Sequence, residues 1–299
     1  MEADGKDPRL LFSSWNEPDY EFSPDGRFVA YALEDNDFNR DIWIRAVDGS
    51  VPPCNVSRHP DWETGPTWSP DGRMLAFTGE RSDRESDIHY VWLRRADDDA
   101  SRRDRTLEKA LEKMKERAPP EKPKKAEPKA PVAVEIDFEG IADRVRRIPL
   151  PDVQERALLW SPDSKKLAFV ATVDGREGLY TVEPPDEVKP KLLVASRGEQ
   201  ARWLSEGNQI VWRRAGKPES ISASGQAKSF PFRVLHEFDL RARHRAAYDL
   251  AWRTMRDWWY DGDFGGRDWN AIGAKYRDLA AASLTTRELT QVASSCWGS

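Results

Sequence analysis

Cysteine is scarce in this 299-residue chain, which has only two, Cys54 and Cys296. Two thiols so far apart do not form the disulfide framework of a small secreted domain, and no CxxC pair is present to bind zinc. The cysteines are therefore interpreted as two ordinary thiols, which are typical of a reducing compartment.

Long apolar runs are also missing, since no stretch of about 18 apolar residues could span a membrane. Residues 1–7 are polar and acidic, a composition that does not fit a signal peptide. If Met1 is the natural start, we expect a cytoplasmic protein. The net charge of −5 is modest and gives no reason to expect nucleic acid or an acidic lipid surface as a partner.

Motifs that would carry chemistry are missing as well. No HExxH, phosphate loop or G-x-S-x-G elbow occurs, and Ser222–Gly225 is interpreted as a turn. Ser294 and Ser295 are interpreted as ordinary helix residues. We therefore predict no catalytic, cofactor-binding or metal-binding residues. The chain has four histidines, His59, His89, His236 and His244. His89 is predicted to pack within a strand.

What the sequence does have is aromatic residues, with 13 Trp, and a repeat. Three copies share an aromatic, Ser-Pro-Asp, and then an apolar run ending in an aromatic; a fourth copy is degenerate. The interval between the second and third copies is twice that between the first and second. In chain order the copies are Phe22–Tyr31, Trp68–Phe77, Trp160–Phe169 and Trp203–Trp212.

Each copy predicts two strands joined by a tight turn. Pro presets φ at the turn, Asp bonds back to the backbone, and Gly, where present, accepts a positive φ. Third strands are predicted at Asp41–Arg45, Asp87–Leu93 and Gly178–Val182. Four short strands in about 45 residues are typical of a β-propeller blade.

The predicted fold is thus mainly β: a partial β-propeller of about four blades over residues 1–237, followed by a short α-helical segment. Four-bladed rings are uncommon, so we interpret these blades as the later part of a larger ring. A β-sandwich could also hold such strands, although a sandwich need not repeat its sequence.

An insertion at about residues 96–131 interrupts the repeats. Arg105–Arg117 has helical spacing of apolar residues, and residues 119–131 alternate proline with charge, as in a stiff linker. Its lysines could form a docking patch for an acidic partner or nucleic acid. The interleaved acidic residues and the absence of aromatics favour a solvated loop. Val134–Val145 is predicted to resume the blade as its outer strand.

Residues 238–299 have a helical pattern. Tyr248, Trp252, Met255 and Trp259 fall on one helix face, which we interpret as helix-packing core. The predicted helix starts are capped, in chain order, by Asp239, Asp268 and either Thr285 or Thr286.

Several of these segments together resemble tricorn-type proteases, serine peptidases of the tail-specific, carboxy-terminal-processing group. The resemblance lies in Trp252–Asp261, Gly266–Asn270, Tyr276–Leu279 and Ile136–Val145, after Ser-Pro-Asp-Gly blades. It implies the late blades of a seven-bladed propeller that guides peptides, then the helical start of the core domain. It also implies oligopeptide substrates and a possible homo-oligomer.

The chain departs from the family pattern after its third predicted helix. A Ser-His pair carrying the catalytic base follows there in the family, whereas this chain reads Ala293–Ser299 and stops. No catalytic residue can be carried over, so the chain is expected to be inactive alone. The alternatives are a standalone propeller-based module that binds peptides or proteins, and a TolB-like scaffold.

Overall fold

The computed structural model describes residues 10–14, 17–82, 85–117, 132–150, 155–206 and 208–297. Two compact units make up the chain, Met1–Pro231 and Phe232–Ser299.

The first unit consists of four antiparallel four-stranded sheets, each with its strands in sequence order. This arrangement confirms the predicted propeller blades, including the three predicted third strands. Blade 1 holds β1 (Asp19–Phe22), β2 (Phe28–Glu34), β3 (Arg40–Ala46) and β4 (Cys54–Asn55). Blade 2 holds β5 (Glu63–Trp68), β6 (Met74–Ser82), β7 (Glu85–Trp92) and β8 (Val145–Ile148). Blade 3 holds β9 (Arg156–Trp160), β10 (Leu167–Val173), β11 (Arg176–Glu183) and β12 (Glu187–Val194). Blade 4 holds β13 (Glu199–Trp203), β14 (Gln209–Arg214), β15 (Lys217–Ser222) and β16 (Ala227–Ser229).

Hydrophobic layers fill the space between successive blades. One cluster joins Ile42 and Ile44 of blade 1 to Phe77 of blade 2, and all three side chains are fully buried. Similar clusters join blade 2 to blade 3 and blade 3 to blade 4. Because each sheet has apolar side chains on both faces, blades 2 and 3 are each covered on both faces by the neighbouring blades.

The insertion leaves blade 2 after β7 and forms α1 (Arg95–Asp99) and α2 (Arg102–Arg117). The helix predicted from Arg105 thus begins three residues earlier. Ser101 caps it, because the Ser101 hydroxyl accepts from the Asp104 N–H at 3.2 Å. The proline-rich residues 119–131 lie outside the described residues.

The prediction of an outer strand over Val134–Val145 is wrong, because β8 begins only at Val145. The preceding residues form a loop that ends in a short 3-10 turn, and Gly140 has a φ of +66°. The buried Arg144 guanidinium fixes this loop by donating to the carbonyls of Trp92 and Leu93, each at 3.1 Å. Apolar side chains here fill the core without entering the sheet.

The second unit consists of α3 (Leu240–Trp258), α4 (Trp269–Ala282) and α5 (Thr286–Trp297). The predicted caps are present: Asp239 accepts from two backbone N–H groups of α3, and Asp268 accepts from the Ala271 N–H. The Thr285 hydroxyl accepts from the Glu288 N–H at 3.2 Å. Among the described helices of the chain, none combines the length and apolar character needed to cross a membrane.

The aromatic stripe of α3 is only partly core. Tyr248 is buried and Trp252 packs against the same cluster. Trp259 lies just past the helix end and is 43% exposed. The apolar pattern in the sequence therefore extends one residue beyond Trp258, the last residue of α3.

Candidate functional site

The first strands of the four blades, β1, β5, β9 and β13, lie next to one another in chain order. We call them the inner strands. They line a cleft of about 720 Å³. A cleft of this size is within the range of pockets that hold small ligands. Its aromatic and charged lining residues are Asp19, Tyr20, Glu21, Trp68, Arg156, Trp160, Arg202 and Trp203.

The Ser-Pro-Asp turns fix where the inner strands of blades 1, 2 and 3 end. The Ser161 hydroxyl donates to the Asp163 carboxylate at 2.6 Å and accepts from the Lys166 N–H at 2.8 Å. The same two hydrogen bonds recur in the first two copies, from Ser23 and Ser69. A buried hydroxyl that is satisfied on both sides makes each turn rigid.

Two tryptophans at the ends of the inner strands join neighbouring blades. The indole Nε1 of Trp68 donates to the Glu21 carbonyl at 3.0 Å, and that of Trp160 donates to the Thr67 carbonyl at 3.2 Å. Both acceptors belong to the inner strand of the preceding blade. In the degenerate copy Trp203 donates to Asn208 within its own blade, so this link is missing there.

Three of the inner strands carry the same β-bulge. In β5, Gly65 and Pro66 together lie opposite Phe77. The first bulged residue has a left-handed backbone in each case, with φ of +63° at Gly65, +57° at Ala157 and +54° at Gln200. The equivalent pairs oppose Phe169 and Trp212, and blade 1 pairs regularly without a bulge.

The two carboxylates of the cleft already have partners within the protein. The Asp19 carboxylate pairs with the Arg40 guanidinium at 2.9 Å and accepts from the Thr64 hydroxyl. The Glu21 carboxylate accepts from the Trp68 N–H at 2.9 Å. Burial of this carboxylate raises the pKa of Glu21, although hydrogen bonds from Trp68 and Thr67 oppose the rise.

The two arginines of the cleft are less closely paired within the protein than its two carboxylates. Arg156 is 3.8 Å from Glu177, and the same Glu177 oxygen is held by Arg197 at 2.9 Å. Arg202 is exposed and forms no ion pair with the described part of the chain. Sequence reasoning did not single out these residues. A signal for Glu21 and Arg202 was available, since each directly precedes the aromatic of its repeat.

The four histidines are dispersed. His89 is buried in β7 and stacks on Phe77 with ring centroids 5.4 Å apart, and His244 Nδ1 lies 2.9 Å from the Ser283 carbonyl oxygen. His59 lies in a loop near Glu63, and His236 is exposed. The Ser295 hydroxyl donates to a carbonyl one turn earlier in α5. Within the described ranges, no group of three or more His, Cys, Asp and Glu is arranged to hold a metal ion.

The helical unit has a smaller groove of about 490 Å³ between α3 and α4. The Arg277 guanidinium makes two hydrogen bonds to Asp249 there, the longer of them 2.7 Å. The Trp252 and Trp269 rings stack with centroids 6.5 Å apart. The groove thus borders an aromatic and ion-paired contact that holds two helices together.

Comparison with known proteins places both units. Residues 240–295 match the family model of the tricorn protease C1 domain. Tricorn protease homolog 2 of Streptomyces coelicolor is 28% identical over 175 residues, which are 52% of this chain and 15% of that protein. Peptidase YuxL of Bacillus subtilis is 37% identical over 82 residues, which are 25% of this chain and 12% of that one.

The fold has a counterpart among solved structures. A crystal structure of the tricorn protease aligns with a TM-score of 0.64 at 16% identity, over 94% of this chain and 28% of the other. The chain spans less than a third of the length of each of these proteins. It therefore joins propeller blades to a helical segment that matches the tricorn protease C1 domain.

Proposed function

We propose that this chain supplies the substrate-guiding propeller and helical scaffold of a tricorn-type serine peptidase that degrades oligopeptides. The observation that supports it best is the cleft of about 720 Å³ along the inner strands, in a chain whose residues 240–295 match the tricorn C1 domain.

The lining of the cleft suits an extended peptide. Tyr20 and Trp203 offer exposed or partly exposed aromatic rings, whereas Trp68 and Trp160 border the cleft as buried side chains. Aromatic surfaces bind apolar side chains of many shapes, and charged groups beside them contact polar side chains and the main chain. A lining of this kind favours oligopeptides of varied sequence over one small metabolite.

Hydrolysis itself is assigned to residues outside this chain. The buried histidines already have structural roles, since His89 stacks on Phe77 and His244 contacts the Ser283 carbonyl. Ser294 and Ser295 are exposed on α5. We therefore propose no catalytic residue among residues 1–299.

Peptide binding tests the proposal directly. An unstructured decapeptide of alanine, leucine and serine should quench or shift the fluorescence of the cleft tryptophans in a saturable way. Tyr20→Ala should weaken binding several-fold, because Tyr20 lines the cleft and is 59% exposed. Tyr260→Ala is the matched control, since Tyr260 is 90% exposed on the helical unit. Equal weakening by both variants, or no binding, would contradict the proposal.

A peptidase assay tests the assignment of the chemistry. This chain should not hydrolyse short fluorogenic peptides. Hydrolysis that co-purifies with the chain would contradict the assignment, and Ser294→Ala and Ser295→Ala would then show whether either serine carries it.

Assembly and location belong to the same proposal. We infer a homo-oligomer in a cytoplasmic setting, in keeping with two free thiols, Cys54 and Cys296. Sedimentation of the full-length protein and cell fractionation test these two statements.

A further inference from the structure

We propose that the inner-strand cleft selects acidic peptide segments, with Arg156 and Arg202 as the groups that bind their carboxylates. This inference rests on the proposed peptide-binding function and names the substrate class within it. It starts from the four charged side chains that line the cleft, which are two acids and two bases.

The acids and the bases are not equally available to a ligand. Asp19 is bonded to the Arg40 guanidinium and the Thr64 hydroxyl. Glu21 accepts a backbone hydrogen bond from Trp68. A carboxylate with such partners gives up part of its hydrogen bonding when it binds a cation from outside. The acidic side therefore contributes little to the attraction of a ligand.

The bases keep most of their hydrogen-bonding capacity. Arg156 is 60% exposed, and its nearest carboxylate, Glu177, lies at 3.8 Å and is held more closely by Arg197. Arg202 is exposed on β13, the inner strand next to β9. A guanidinium presents a planar fork of donors that matches a carboxylate. Two such forks on neighbouring inner strands place positive charge on one side of the cleft in a chain of net charge −5.

The aromatic neighbours favour a peptide over a free anion. The partly exposed Trp203 directly follows Arg202 in β13, and the exposed Tyr20 lines the same cleft. Indole rings beside guanidinium groups bind the apolar stem of a glutamate while its carboxylate meets the fork. The expected ligand is thus an extended peptide with glutamate or aspartate among apolar residues.

Three matched decapeptides test the inference on the whole chain. Each has alanine, leucine and serine at seven positions and glutamate, glutamine or lysine at the other three. At low salt the glutamate peptide should bind about fivefold to tenfold more tightly than the glutamine peptide, as expected for two partly exposed ion pairs. The preference should shrink as salt rises. The lysine peptide should bind no more tightly than the glutamine peptide.

A double variant locates the effect. Arg156→Gln with Arg202→Gln should reduce the glutamate preference to about twofold or less while the glutamine peptide binds as before. The control, Arg176→Gln with Arg241→Gln, changes the net charge equally at two exposed sites that do not line the cleft. It should keep the preference.

The outcomes separate this inference from the function on which it rests. Equal binding of the glutamate and glutamine peptides, or tighter binding of the lysine peptide, would overturn the acidic selectivity and leave peptide binding in place. Loss of the preference in both double variants would assign it to net charge and overturn the role of the two arginines. Failure of all three peptides to bind would overturn the proposed function itself.

Discussion

The indole Nε1 of Trp160 donates a hydrogen bond to the carbonyl oxygen of Thr67, 3.2 Å away, and so joins the inner strands of blades 3 and 2. Trp68 and Glu21 are related in the same way one blade earlier. The repeat thus encodes a turn and, in its second and third copies, also a link to the blade before it.

Removing that link should destabilise the propeller unit. Trp160→Phe keeps a buried ring but leaves the Thr67 carbonyl without its donor, so the free energy of unfolding should fall by about 1–2 kcal/mol. Urea unfolding followed by circular dichroism measures the change. Trp203→Phe is the control, because Trp203 bonds Asn208 within its own blade. An equal loss in both variants would show that the link between blades adds nothing.

The repeated bulge predicts opposite effects for two reciprocal substitutions. Gly65 has a φ of +63° with open space around an added Cβ, so Gly65→Ala should cost about 1 kcal/mol through backbone strain alone. Ala157 has a φ of +57°, so Ala157→Gly should relieve strain and be neutral or stabilising by up to about 1 kcal/mol. Thermal unfolding measures both. Ala227→Gly is the control, because Ala227 is exposed and has an extended backbone, so its change to Gly should lower the stability. Stabilisation by Ala227→Gly would contradict the strain at Ala157.

We predict that Asp25 forms an acid-sensitive contact between blade 1 and the loop that precedes β8. Its carboxylate accepts from Ser23, Arg27 and the Val134 N–H. Burial raises the pKa of Asp25, but these hydrogen bonds outweigh burial and hold the pKa well below its usual value near 3.8. A group with a lowered folded pKa stabilises the fold above the unfolded pKa, and that stability is lost as pH falls.

The test is a pH series of unfolding for the parent chain and Asp25→Asn. The difference in stability should be largest near neutral pH and should shrink below about pH 4. Asp257→Asn is the control, because Asp257 pairs with Arg256 at the surface, where solvent screens the interaction. A difference for Asp25→Asn that stays constant down to pH 2 would rule out this role.

Helices α3 and α4 pack closely at Gly273, which leaves no room for a larger residue there. An added Cβ would lie 2.4 Å from Trp252 Nε1, and that indole is held by a hydrogen bond to the Trp269 carbonyl. Gly273→Ala should therefore cost about 1–3 kcal/mol through overpacking and change the near-ultraviolet circular dichroism of the tryptophans. The exposed neighbour Ala274→Ser should change stability by about 0.5 kcal/mol or less. Similar effects of the two would contradict close packing at Gly273.

The sequence predicted those elements whose chemistry is local. Ser-Pro-Asp turns, third strands and capped helices depend on a few adjacent residues, and each lies where the pattern indicates. The bulges could not be predicted, because only Gly65 of the three left-handed residues is a glycine. Ala157 and Gln200 adopt this backbone because of the sheet around them, which no single strand reveals.

The outer strand of blade 2 was predicted wrongly and the basic side of the cleft was not predicted at all, and both have the same cause. Val134 and Ile141 are buried, so their apolar character indicated a strand although they belong to a loop fixed by Arg144. Arg156 and Arg202 resemble any exposed arginine until β9 and β13 are placed side by side. Both results depend on contacts between segments far apart in the chain.

In the proposed function, the bulges also limit how a guest peptide would pair with the cleft. An inner strand is the edge of its sheet, and a straight edge would offer a guest peptide a continuous row of backbone partners. In blades 2, 3 and 4 that row is broken three residues before the terminal aromatic, at Gly65, Ala157 and Gln200. A guest peptide bound as proposed can therefore pair with the walls from blades 2, 3 and 4 only over short stretches, and the regular β1 is only four residues long. Such a cleft would not template aggregation of the peptide.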